Sequence, residues 1–136
     1  MIQALKRRLG RRGSALLFFA FLDAVICWSL VTLPPEFRAA RSYTYISSIF
    51  PLWGWAIAWG AVGFTCLIFS FRQKDTIAFT VAIGIKVAWA IMYLSGYILG
   101  DIPLGYLSAS IWFGFALLVR LISGWPEGDD IWTRTS

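Results

Sequence analysis

Four apolar runs, residues 14–33, 51–71, 76–99 and 103–123, take up most of this sequence. Each is close to the roughly 20 residues that an α-helix needs to cross a bilayer. Inside hydrocarbon no water is at hand for the peptide groups, so an apolar run of this length has to satisfy them within itself, as a helix. Composition agrees. With 136 residues, 59% hydrophobic and 14% charged, the chain exposes more apolar surface than one small soluble core buries. The sequence therefore predicts an all-α integral membrane protein with its transmembrane domain over residues 14–123.

Between the later runs, Arg72-Gln73-Lys74-Asp75 and Gly100-Asp101-Ile102-Pro103 supply the charge, glycine and proline that stop helices and permit tight turns. Short connections make spans two, three and four antiparallel neighbours in a four-helix bundle. The first run also follows a basic stretch, as a signal peptide does. It is long for an apolar signal core, however, and Pro34-Pro35-Glu36-Phe37 follows it in place of a small-x-small cleavage site, so it reads as a retained span.

Lysine and arginine in short loops set orientation, and acids count for little. Lys6, Arg7, Arg8, Arg11 and Arg12 precede span one, Arg72 and Lys74 follow span two, and Arg120 and Arg134 lie at or beyond the end of span four. The other side has only Arg38 and Arg41 before span two. Both termini are expected in the cytoplasm. The net charge of +5 raises nucleic acid as a partner, yet its concentration next to span one suits anionic lipid headgroups better. Ile2, Leu5 and Leu9 recur at helical spacing among those basic residues, which predicts a basic amphipathic segment over 1–13 along the cytoplasmic surface. Residues 124–136, with Trp125, Glu127, Asp129 and Asp130, read as a short polar tail.

Charge inside a span is costly and calls for a partner. Asp23 and Lys86 fall near the centres of spans one and three, and counting from residues 14 and 76 puts them at roughly 13 and 15 Å from the cytoplasmic edge. Opposite signs at one depth predict an intramembrane ion pair. Two readings fit it: a structural pair that fixes helix rotation, and a proton or ion relay that opens during a cycle. Ala78, Ala82 and Ala90 lie on the helical stripe through Lys86, and small residues permit close helix approach. Ala56, Gly60 and Gly63 in span two, and Ser110 and Gly114 in span four, have similar spacing, suited either to closing the bundle or to self-association. Trp89, one turn from Lys86, is placed for a cation–π contact. Trp53, Trp55 and Trp125 stand at span ends as interfacial anchors, and residues 34–50 form an outer connection lying on the headgroups or meeting a partner.

Cys27 and Cys66 fall at depths of roughly 20 and 8 Å, too different for a disulfide, and read as packing residues. With two cysteines and no histidine, no zinc or haem cluster is expected, and neither a nucleophile–base pair nor a phosphate-cradling glycine loop is found. No enzymatic activity and no cofactor are expected.

Arg11-Arg12-Gly13-Ser14-Ala15-Leu16-Leu17-Phe18-Phe19-Ala20 followed by Asp23, Pro51-Leu52-Trp53, Ala82-Ile83-Gly84-Ile85-Lys86-Val87 with Trp89, Ile111-Trp112 and Gly124-Trp125-Pro126-Glu127 together resemble small four-span membrane proteins encoded by actinobacterial phages and related elements. The resemblance covers most of the chain and implies a phage gene product in the host inner membrane. The expected role is assembly there, as a holin-like lysis factor or a modifier of how phage enters the host. Expected partners are further copies of the chain and a phage or host membrane protein, for which the chain would act as a scaffold. Small multidrug-resistance transporters also have four short spans and an acid in the first, a place that Asp23 matches. Lys86 departs from that pattern. Four-span fluoride channels are a further comparison, but their polar pore motifs find no place here. An ion- or proton-coupled transporter or channel using Asp23 and Lys86 is the alternative expectation.

Overall fold

The computed structural model describes residues 2–72 and 74–126, with side chains from residue 10 onward. Among the described residues every regular element is an α-helix: α1 (Ile2–Val31), α2 (Pro35–Arg38), α3 (Arg41–Ile49), α4 (Leu52–Phe69), α5 (Thr76–Ile98) and α6 (Gly105–Ser123). Four are long and apolar enough to cross a membrane: α1 from Gly10, α4, α5 and α6. The 127–136 part of the tail, with Glu127, Asp129, Asp130 and Arg134, lies outside the described residues, as do the side chains of Lys6, Arg7 and Arg8.

The expected spans and the observed helices agree to within a few residues, and the largest difference is at the start of α1. Gly10 adopts φ 48°, ψ −172°, and divides α1 into an N-terminal arm and the span Gly10–Val31. A left-handed φ of this kind is cheap only without a Cβ, so the break falls at the glycine and not at residue 13. Arg11 and Arg12 consequently belong to the first turn of the span.

Helix α1 packs mainly on α4, and α5 mainly on α6, while α4 and α5 join these two pairs. The α4 chain enters through Pro51, whose fixed φ suits the residue before a first turn. The α5–α6 corner is a Schellman turn. Gly100 takes φ 81°, the Asp101 N–H donates to the Gly96 carbonyl at 2.9 Å and the Gly100 N–H to that of Tyr97 at 3.1 Å.

The connection between α1 and α4 is largely helical, in α2 and α3. Its α3 is amphipathic, with Ile46 fully buried and the Tyr45 hydroxyl 2.8 Å from Ser95 Oγ near the end of α5. Two hydrophobic clusters fill the bundle. One joins Leu16, Phe19, Cys66, Phe79 and Val119, and the other joins Leu30, Ile46, Trp59, Trp89 and Met92. Asp23 and Lys86 occupy the levels of α1 and α5 between them.

Candidate functional site

Lys86 Nζ donates to Asp23 Oδ1 at 3.0 Å, and both side chains are completely buried. The expected partners therefore meet. Burying two charges is expensive, and their attraction offsets that cost only when geometry and neighbours help. The ammonium lies 5.3 Å from the Phe19 ring centre and 5.4 Å from that of Trp59, which gives it two aromatic faces besides the carboxylate. The sequence pointed to Trp89 for this contact. Trp89 instead packs edge-on against Trp59 and Trp55, with ring centres 5.5 and 5.0 Å apart, and Trp112 meets Trp59 at 5.3 Å. Trp55, expected as an interfacial anchor, is thus part of this aromatic layer, whereas Trp53 is exposed as an anchor should be. Trp125 is exposed too.

Small residues let the helices close around the pair. A Cβ on Gly63 would stand 3.2 Å from Asp23 Cβ and 3.3 Å from the Ala20 carbonyl oxygen, and one on Gly60 would stand 3.2 Å from Cys27 Sγ. Ala56, Ala78, Ala82 and Ala90 are likewise buried. Ser110 and Gly114 are exposed. The residues of α6 that face the bundle are Gly105, Ala109, Ala116, Val119 and Ile122, so the Ser110–Gly114 stripe does not close it. Cys27 and Cys66 are free thiols with separate neighbours, Gly60 for one and the Ala78 carbonyl for the other.

A second ion pair was not anticipated. Arg12, assigned from sequence to lipid headgroups, bonds Asp75 just ahead of α5. Burial raises the Asp75 carboxyl above its ordinary value of 3.8, against the pull of the Arg12 guanidinium. The signal was present: both pairs join residues 63 apart in sequence. Helices α1 and α5 thus run in one direction in fixed register, and 11 residues separate the pairs along each, about three turns. The signs alternate, cation then acid on α1 and acid then cation on α5.

The polar inventory around the first pair is incomplete. Asp23 Oδ2, Trp55 Nε1 and Trp59 Nε1 are buried without a hydrogen-bond partner among the described residues. No group of three or more histidine, cysteine, aspartate or glutamate side chains among the described residues is placed to hold a metal ion. No protein-family model, curated protein or solved structure matches this chain.

Proposed function

We propose that this chain is a non-enzymatic protein of a bacterial inner membrane that acts by assembling there, as a holin-like lysis factor or a modifier of how phage enters its host. Its spans form an antiparallel bundle with both termini in the cytoplasm. The phage attribution rests on the resemblance carried by the sequence strings. Assembly is supported by one structural observation above others: a groove of about 610 Å³ between α1 and α4, floored by Ala20, Ala24, Gly60 and Gly63. Exposed Phe21, Trp28 and Phe64 line it as well. In lipid, helices associate through close packing at small residues, and this groove, with the exposed Ser110–Gly114 stripe, offers such places once the bundle is complete.

Inducible expression in a bacterial host, with membrane potential and phage infection followed, tests the reading. Oligomers captured by crosslinking, together with abrupt depolarisation or altered infection, are expected. A protein that stays monomeric, leaves the membrane sealed and does not alter infection would sink it. Ala24→Leu, which fills the exposed groove, should weaken the oligomer.

The second reading is a small ion- or proton-coupled transporter, favoured by the unpartnered Asp23 Oδ2. A buried carboxylate oxygen with no donor is costly unless a proton or ion visits it. Reconstituted protein would then move protons or ions, and Asp23→Asn would abolish the flux. Equal flux in the variant eliminates this reading.

A further inference from the structure

Where α5 begins and α6 ends, a cleft of about 340 Å³ opens between helices α1, α5 and α6. Arg12 and Arg120 line it from different helices, with the hydroxyl-bearing Thr76, Thr80 and Ser123. We propose that this cleft binds the headgroup phosphate of an anionic phospholipid.

Two guanidinium groups and the Thr76 hydroxyl suit a tetrahedral oxyanion, while the Thr80 and Ser123 hydroxyls donate to the Thr76 and Arg120 carbonyls at 2.7 and 2.6 Å and have to turn to reach one. Arginine offers a planar fork of charge-assisted donors, and phosphate accepts several bonds at once. Asp75 offsets part of the charge, yet its partner is Arg12, and Arg120 makes no ion pair among the described residues. Arg120 directs one N–H to Ser123 Oγ at 3.3 Å, within the cleft, and its guanidinium has other N–H groups for a ligand. Helix α5 starts beside the cleft without a side-chain cap, so its positive end adds to the attraction.

Position selects a lipid over a free anion. Thr76 and Ser123 are the terminal residues of two spans, which places the polar groups at headgroup depth. Phe79 and Ile83, one and two turns further into α5, give the cleft an apolar wall toward the bundle interior. A polar mouth continued by an apolar wall fits a phosphodiester with a glycerol and acyl chain below it. The N-terminal basic arm is a separate attraction, acting on the membrane surface as a whole.

The test is native mass spectrometry of the full chain, released from detergent with equimolar phosphatidylglycerol and phosphatidylcholine, and in a parallel arm with inorganic phosphate alone. Retention of phosphatidylglycerol should exceed that of phosphatidylcholine by about fivefold or more, the effect expected of one well-placed cation near a membrane surface. Arg120→Gln with Thr80→Val should bring the two lipids to near equality, while Arg7→Gln with Arg8→Gln leaves the preference intact. Both altered cleft side chains are exposed, and an unchanged melting temperature will show that the bundle persists. Absence of a preference in the unaltered protein overturns the proposal. So does a preference that survives the cleft substitutions, one lost with the arm substitutions, or inorganic phosphate binding as well as the lipid does.

Discussion

The Asp23–Lys86 contact joins two side chains that have no access to solvent, so the cost of disrupting it falls on whichever charge is left behind. Removing one member of such a pair costs about 3–5 kcal/mol, whereas replacing both by apolar groups of similar volume is often neutral. Lys86→Met and Asp23→Leu should each lower the melting temperature in detergent sharply, and the double variant should regain most of the loss. Additive losses would mean that the two groups do not act as a pair. Gly63 belongs to the same argument, since its missing side chain is what admits Asp23 and Ala20 to contact with α4. Gly63→Val should lower stability by about 1–3 kcal/mol through overpacking, read from the same melting curves. The charge pair was legible in sequence because depth along a span follows from counting residues. Its aromatic surroundings were not, because facing Lys86 depends on how α1 and α4 rotate against α5, and residue counts do not encode that rotation. Phe19 and Trp59 come from those other helices, while Trp89, nearer in sequence, turns to the indoles.

At the scale of the helix, two ion pairs with alternating signs specify register. With Arg12 opposite Asp75 and Asp23 opposite Lys86, sliding α1 along α5 or reversing it brings neither pair together. Exchanging the pair at the helix starts as Arg12→Asp with Asp75→Arg should restore much of the stability that either single change removes, measured as the fraction of folded protein extracted from membranes. No recovery would indicate that Arg12 contributes through other contacts and not through this pairing. Helix α3 shows a different limit of sequence reading. Residues 34–50 are too polar to span and too rich in serine and threonine to look like a strong helix, so they read as a connection. Tertiary contact decides the matter: Ile46 buries completely and the Tyr45 hydroxyl meets Ser95. Most helix stability in proteins comes from such packing and not from intrinsic propensity. Ile46→Ala should cost about 2–5 kcal/mol, the range for a large aliphatic side chain removed from a packed site. Rapid amide exchange confined to α3 and the end of α5 would locate that loss; an unchanged exchange pattern would show that α3 is not held by this contact.

For the whole molecule, the distribution of charge decides how the proposed bundle sits in its membrane. Arg11, Arg12, Arg72, Lys74 and Arg120 lie at the start of the first span in α1, ahead of α5 and at the ends of α4 and α6, whereas Arg38 and Arg41 lie in the α2–α3 region that joins the end of α1 to the start of α4. Basic residues in short loops are retained on the cytoplasmic side, so under the proposed topology this excess acts on the whole bundle and not on one helix alone. The ion pairs make the choice collective. Because α1 and α5 are locked through Arg12–Asp75 and Asp23–Lys86, one of them cannot invert without breaking both ion pairs, which involve four charges. Alkaline phosphatase inserted after Ala40 should therefore be active outside the cytoplasm, and a fluorescent protein fused after the last residue should fold and fluoresce within it. Replacing Arg72 and Lys74 by glutamine should leave both signals in place, since the basic N-terminal arm of α1 and the locked register still favour the same arrangement. A mixture of orientations in that variant would mean that the loop between α4 and α5 sets topology by itself, and that the buried pairs form only after insertion has been settled.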